Sequence, residues 1–171
     1  MLVDTLRNLK ALLQNQLPAK LDQIELERAD GVTLEDIQSF FIELGSGSHT
    51  SRQGGGAARH LDARLGYPNV TILGEATSAN NAISRRRELR HEVSVWITDR
   101  EVSPDSELAQ TKLLYYVEAV ERVLAGDPSL GGKAINSTVT SHVYLRKGRE
   151  EFVRRAILSM EVLEMHTTSS Y

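Results

Sequence analysis

The most unusual polar feature of this sequence is a cluster of four arginines within six residues, Arg85, Arg86, Arg87 and Arg90. Neighbouring guanidinium groups repel one another unless a negative group lies close. Their planar donor geometry also suits two-point contacts with carboxylates and phosphates. The cluster therefore predicts an electrostatic contact, either with an acidic protein surface or with DNA phosphates. The alternative interpretation is a solvated hairpin end.

An acidic complement to this cluster lies nearer the start of the chain, in residues 20–36. A heterologous interface in a ring sets two different patches of one chain against each other. We therefore expect the acidic stretch of one subunit, or an acidic face of another protein, to meet the arginines. The alternative is a solvated helix face. The carboxylates of this stretch outnumber its cations, Lys20 and Arg28, and are Asp22, Glu25, Glu27, Asp30, Glu35 and Asp36.

The residue patterns of catalytic and cofactor sites are missing from the sequence. No Gly-Lys-Ser/Thr follows Gly54–Gly56, so the glycines do not form a phosphate loop. Adjacent Glu150 and Glu151 lie at a strand start and point to opposite faces. There is no cysteine and no Gly-x-Ser-x-Gly motif. We therefore predict no enzymatic activity, no cofactor and no metal. The histidines lack metal-ligand spacing and are His49, His60, His91, His142 and His166.

Length and composition are those of one soluble globular domain spanning residues 1–171. The chain has 20 Lys and Arg against 23 Asp and Glu, a net charge of −3. This balance argues against general coating of nucleic acid, which needs a basic face. No stretch approaches the roughly 18 apolar residues of a membrane span, and the charged N-terminus is not expected to be a secretory signal. No membrane partner is therefore predicted.

The first predicted element is an amphipathic helix, which leads into the acidic stretch. Its leucine stripe repeats at steps of three and four residues from Leu2 to Leu17. Pro18 is expected to stop or kink it, with a short second helical stretch to follow. A strand is predicted at Phe40–Leu44. The Gly/Ser-rich run Gly45–Gly56 predicts a flexible loop extending to about residue 64, because glycine backbone is costly to order.

The middle of the chain alternates strand and helix patterns. Short strands are predicted at Val70–Leu73 and His91–Thr98, separated by a polar stretch and the arginines. Trp96 falls on the outward face of its strand, where a second layer or a neighbouring subunit would have to cover it. Ser103-Pro104 is a helix-start signal and Gly126 a helix stop. The helix between them is predicted to be the main core helix.

Two strands close the sequence. Ala134–Leu145 is predicted to turn Val139, Val143 and Leu145 to one face, with His142 and Tyr144 on the other. The partner strand runs from about Glu151 to Met165 and is apolar on both faces near its middle, which predicts a sheet covered on both sides. His142 and His166 are expected to be no more than cross-strand polar neighbours. Residues 166–171 are predicted to be a frayed tail.

The order of these elements, together with one turn, resembles the tail terminator (tail completion) proteins of long-tailed bacteriophages. A leading amphipathic helix is followed by an acidic stretch, a strand pair, a long helix, an Asp-Pro-x-Leu-Gly-Gly turn and a closing strand pair. The resemblance covers about three quarters of the chain. The Gly45–Gly56 loop departs from it, being longer than such a subunit needs. The residues that match the turn are Asp127, Pro128, Leu130, Gly131 and Gly132.

The pattern of elements predicts an α+β class, with a mixed, mainly antiparallel sheet flanked by two main helices and an extended hairpin. The resemblance implies a small α/β subunit. It implies a hexameric ring in the virion, at the head–tail junction. This ring would cap the tail tube, end tail polymerisation and join the head connector or stopper protein. The turn would be structural. Assembly would take place in the host cytoplasm, with passing contact to DNA in the channel.

Two other functions remain open at this stage. One is a different ring at the head–tail junction, a stopper or adaptor. The other is a small α+β ligand-binding or enzymatic domain, which would show a deep pocket with perturbed titratable groups. A ring subunit would instead expose apolar or arginine-rich loops that become ordered on assembly.

Overall fold

The computed structural model describes residues 2–44, 66–82, 86–100, 106–146 and 153–167. Within these ranges two helices accompany a five-stranded sheet of order β1-β2-β3-β5-β4. β1 pairs with β2 in parallel, and the other three pairings are antiparallel. The predicted α+β class with a mainly antiparallel mixed sheet is confirmed. The elements are α1 (Leu2–Arg28), β1 (Ser39–Leu44), β2 (Asn69–Ala82), β3 (Arg86–Arg100), α2 (Ser106–Gly126), β4 (Asn136–Arg146) and β5 (Val153–Thr167).

Both helices pack on one face of the sheet and form a single core with it. Alternate strand residues such as Val95 and Leu158 are fully buried against the helices. α2 supplies Tyr116 and Val120, which belong to the same cluster. Among the described residues the helices cover this face only, so they do not supply the cover predicted for the other face. The α1 side chains in this core are Leu6, Leu9, Leu13, Leu17, Leu21 and Ile24.

Helix α1 continues through Pro18 as one element of 27 residues. The predicted stop at this proline and the separate second helix are therefore wrong. Proline removes one backbone hydrogen bond and crowds the preceding turn. The buried stripe nevertheless carries on through Leu17, Leu21 and Ile24, each no more than 2% exposed. Packing of that stripe outweighs the local proline penalty.

The β2–β3 hairpin is much longer than the sequence suggests. The polar stretch after Leu73 was predicted to leave the strand, but β2 continues to Ala82 and pairs with β3 down to Arg86. A register shift lies between Gly74 and Ala76. Pairing with β3 satisfies the backbone donors and acceptors on that side, so this ribbon needs no apolar side chains to be ordered as strand.

A bulge in β4 overturns one predicted set of faces. The register shifts between Val139 and Ser141, and an extra residue exchanges the two sides of a strand beyond it. Val139 opposes Met160 on the helix side, whereas Val143 opposes Ile157 on the other side. The prediction that Val139 and Val143 share a face is therefore wrong.

The turn after α2 is held by its own side chains. Ser129 Oγ donates to Asp127 Oδ1 at 2.7 Å, and the Gly131 amide donates to Asp127 Oδ2 at 2.8 Å. These bonds hold the pKa of Asp127 below its ordinary value. Leu130, 2% exposed, anchors the turn in the core. Gly131 and Gly132 have positive φ angles of 72° and 78°, which favour glycine. Pro128 is exposed at the start of the turn.

Tyr116 attaches the irregular segment between α1 and β1 to the core. Its hydroxyl accepts from the Glu35 amide at 2.9 Å and donates to the Glu35 carbonyl at 3.1 Å. Burial of the phenol raises the pKa of Tyr116 well above its ordinary value. This hydroxyl therefore joins the segment to α2 at Glu35 through two hydrogen bonds.

Replacing Tyr116 by phenylalanine should lower the free energy of unfolding by about 0.5–1.5 kcal/mol, since only the hydroxyl is lost. Tyr115→Phe is the matched control, because that hydroxyl donates to exposed Asp30. Urea unfolding with hydrogen exchange would measure both variants. Exchange at the Glu35 amide should accelerate only in Tyr116→Phe. Equal behaviour of the two variants would contradict this role.

Several predicted features lie outside the described residues. These are the flexible loop at about 45–64, the Ser103-Pro104 helix start and the carboxylates Glu150 and Glu151. Of the tail predicted to fray, residues 166 and 167 are instead the last residues of β5, paired with Arg87 and Arg86. Pairing with the long hairpin extends β5 beyond its apolar pattern.

Candidate assembly surface

One face of the sheet carries no helix in the described part of the chain. Strand alternation places Trp96 and Ile157 on this open face, because their neighbours Val95 and Leu158 are fully buried on the other. Leu73, Val143 and Leu163 lie on the same side by register. Val143 is 45% exposed. The open face therefore carries several partly buried apolar side chains and one exposed apolar side chain, that of Val143.

Trp96 is held on this face by polar neighbours. Its indole Nε1 donates to Ser94 Oγ at 2.9 Å, and Ser94 Oγ donates to Glu75 Oε1 at 2.6 Å. The Arg155 guanidinium carbon lies 4.8 Å from the centroid of the Trp96 ring. Arg155 Nε also donates to Thr98 Oγ1 at 3.0 Å. Arg155 thus supplies part of the cover that Trp96 was predicted to need.

The arginine cluster is strand rather than turn where the structure describes it. Arg86, Arg87 and Arg90 belong to β3, and Arg86 and Arg87 form its first pairs with β2, at the end of the β2–β3 hairpin; Arg85 lies outside the described residues. Arg90 is half-exposed and lies 3.4 Å from Glu161 and 3.9 Å from Glu88. The side chain of Arg87 is exposed. Part of the cluster's charge is therefore already met within the chain.

Three of the six carboxylates of the acidic stretch, Glu25, Glu27 and Asp30, accept hydrogen bonds within the subunit. Arg122 donates to Glu27 at 2.6 Å and to Glu118 at 2.7 Å, while Arg28 donates to Glu118 at 2.8 Å. These hydrogen bonds hold the pKa values of Glu27 and Glu118 below their ordinary range. The network joins the end of α1 to α2. Only part of the predicted acidic patch is left to meet another subunit.

A buried polar cluster joins the start of α1 to the end of β5. Glu164, 5% exposed, accepts from Thr5 Oγ1 and lies 3.1 Å from His166 Nε2. His91 Nε2 is 3.5 Å away without a hydrogen bond, and His91 Nδ1 contacts Thr77 Oγ1 at 2.8 Å. Burial acts to raise the pKa of Glu164. The His166 hydrogen bond and the His91 charge outweigh it, and the pKa falls below its ordinary value.

The histidines are distributed differently from the predicted cross-strand neighbours. His142 contacts Glu121 on α2 at 2.8 Å, and its strand partner is Leu158. His166 pairs with Arg87 in the register. His142 and His166 therefore do not meet.

The described residues provide neither a metal-binding cluster nor a membrane-spanning helix. Among the described residues, no group of three His, Asp or Glu side chains could hold a metal ion. None of the helices in the described ranges is long and apolar enough to cross a membrane.

Arg154, on the opposite, helix-facing side of the sheet, is a buried cation that was not among the site residues predicted from the sequence. It occupies a helix-facing position of β5, two residues before buried Ala156, and is 8% exposed. Its Nε is buried without a hydrogen-bond partner in the structure. The sequence could have identified Arg154, because the alternation of side chains along β5 places this charge on the core side. The same alternation also points to Glu164.

Comparison with known proteins gives little beyond this geometry. No protein family and no curated protein matches the chain. The chain is similar in structure to one chain of a solved structure that is described as "Virion of native gene transfer agent (GTA) particle". The two are 10% identical with a TM-score of 0.46, over 90% of this chain and 95% of that chain.

Proposed function

We propose that this chain is a non-enzymatic structural protein of a phage-like virion, and specifically a tail terminator. It forms a ring, a hexamer in our proposal, that caps the tail tube, ends tail polymerisation and joins the head connector. The observation that carries this proposal is the Asp127–Gly132 turn, built between the long helix and the closing strands as the resemblance implies.

The surface of the subunit supports an assembly role. In the described part of the chain the helices lie on one side of the sheet, and the other face carries the partly buried Trp96 and Ile157 and the exposed Val143. Apolar surface of this kind is typical of sites where proteins interact. The sheet also ends at β4, a strand whose outer edge has no partner among the described strands. Such edges accept further strands or must be protected.

The proposed function is tested by imaging the purified protein with tubes assembled from the cognate tail tube protein. We expect a ring at one end of each tube and tubes that stop growing once it has bound. A protein that remains monomeric at every concentration and does not bind tubes would overturn the proposal. Rings that bind head connectors but never tubes would instead favour the stopper or adaptor function.

The arginine cluster is proposed to contribute to this assembly. Replacing Arg85, Arg86, Arg87 and Arg90 by alanine should leave the subunit folded but weaken its binding to tubes. Each exposed contact is worth only about 0–1 kcal/mol, but a ring repeats it in every subunit. Added salt should weaken wild-type binding in the same way, because salt screens exposed charges. Circular dichroism checks the fold, and binding across a salt series measures the effect.

A matched control removes four other cations, Arg7, Lys10, Lys20 and Lys133, and thus changes the net charge equally. It should bind tubes like the wild type. If the arginine variant binds tubes normally and its response to salt is unchanged, the arginines are solvated and make no assembly contact. Normal assembly with leakage of packaged DNA would instead place the arginines in the channel, facing phosphate.

A further inference from the structure

A cavity opens between α2 and the strands β4 and β5. Its volume is about 280 Å³, and its walls are mainly apolar. Leu114 and Tyr144, 49% and 51% exposed, stand at its rim. The lining residues are Gln110, Leu113, Leu114, Tyr144, Leu145 and Arg154. The cavity therefore combines exposed apolar surface with one buried cation.

Arg154 gives this cavity a specific chemical requirement. Its cross-strand neighbour, in the pairing of β5 with β3, is Asp99, which is also buried. The buried Nε–H still has no hydrogen-bond acceptor. Burying a donor without an acceptor is costly, so the cavity is suited to an apolar group with a nearby carboxylate.

The same chain carries a group of this kind on another element. Leu26, near the end of α1, is 82% exposed, more than any other large apolar residue in the described ranges. Asp22 lies one turn earlier, and residues four apart share a helix face. Asp22 is exposed, and within the described part of the chain its side chain makes no ion pair or hydrogen bond. Neighbouring Glu27, by contrast, is held by Arg122.

We propose that Leu26 and Asp22 of one subunit dock into the Arg154 cavity of a second copy of this chain. Leu26 fills the apolar part, and the Asp22 carboxylate faces the Arg154 side of the cavity. Because the Leu26–Asp22 knob and the cavity lie on different elements, the contact is heterologous and can propagate into a ring. This inference rests on the proposed ring and names the interface that builds it.

In this proposal Asp22, from the acidic stretch 20–36, meets Arg154 of another subunit and not the arginine cluster that the sequence suggested. Arg90 is already close to Glu161 and Glu88, whereas Arg154 Nε has no acceptor. Arginines that line apolar pockets are also among the residues that dominate interface energetics.

The test compares self-association of Leu26→Asp and Leu114→Asp with the wild type by analytical ultracentrifugation and on tail tubes. Both positions are exposed, so both variants should fold. Each should raise the concentration needed for half-assembly by about tenfold or more, as expected for a central interface residue. Asp22→Asn should have a smaller effect. Leu44→Asp, at a leucine that is 60% exposed elsewhere, is the matched control and should assemble normally.

Mixing the two variants tests the direction of the contact. Leu26→Asp retains its cavity and Leu114→Asp retains its knob, so an equimolar mixture should form one-to-one pairs and no larger species. If the wild type forms rings and Leu26→Asp forms them equally well, the docking proposal is wrong while the ring function stands. If the wild type neither self-associates nor binds tubes, both proposals fail.

Discussion

Replacing Leu13 by alanine should lower the free energy of unfolding by about 2–5 kcal/mol, the range for truncating a buried leucine. Leu13 is 0% exposed in the middle of the α1 stripe. The substitution removes apolar contacts and leaves a cavity between the helix and the sheet. For a chain of this size, each kcal/mol corresponds to a fall of roughly 2–4 °C in Tm. Urea and thermal unfolding would measure both quantities.

Leu26→Ala is the control on the same helix. Leu26 is 82% exposed, so its truncation should change the unfolding free energy of the monomer by no more than about 0.5 kcal/mol. The pair therefore separates a leucine that holds the fold from one proposed to hold an interface. A loss of less than about 1 kcal/mol in Leu13→Ala would mean that α1 is not packed as described.

Replacing Glu164 by glutamine should cost about 1–3 kcal/mol at neutral pH, because a buried charged acceptor is lost. The carboxylate accepts from Thr5 and contacts His166, joining the start of α1 to the end of β5. Glutamine keeps the shape but replaces one acceptor oxygen with a donor. Unfolding by urea at pH 7 would measure the difference.

The pH dependence of this difference has a defined sign. The pKa of Glu164 is lower in the folded protein than its ordinary value, so the folded state holds the carboxylate ionised to lower pH. The stability it contributes is fully present above the unfolded pKa of about 4.3 and is lost as the pH falls through the folded pKa. The difference in the free energy of unfolding between the wild type and Glu164→Gln should therefore become smaller as the pH is lowered.

A second Glu–His pair provides the control for this experiment. Glu121 contacts His142 at 2.8 Å on the surface, and an exposed pair contributes only about 0–1 kcal/mol. The Glu121→Gln substitution should therefore change the free energy of unfolding very little at any pH. A Glu164→Gln protein as stable as the wild type at pH 7, or a gap that does not change with acid, would show that the buried cluster contributes little.

The elements that local patterns determine were predictable from the sequence. The leucine stripe of α1 and the apolar face of α2 have the helical period, and the cores of β3 and β5 alternate as strands. The turn from Asp127 to Gly132 also followed from residue type, because its hydrogen bonds and positive φ angles are local. These features, taken together, were enough to predict the α+β class.

Features that depend on distant pairing were not predictable in this way. α1 passes through Pro18 because Leu21 and Ile24 are buried against the rest of the core. β2 extends through polar residues because β3 supplies the ladder, and the bulge after Val139 reverses the faces of β4. Each is an energetic balance between a local preference and a contact remote in sequence.

The candidate interface was likewise predictable only in those features that depend on residue type. The sequence by itself determined that arginines and carboxylates are concentrated in separate stretches, and that no recognisable catalytic pattern exists. Only the tertiary structure decided which charges are already paired within the subunit, such as Arg90 and Glu27, and which are not, such as Arg154 Nε and Asp22. The physical reason is that residue type sets a side chain's charge, whereas its partners depend on which elements the fold brings together.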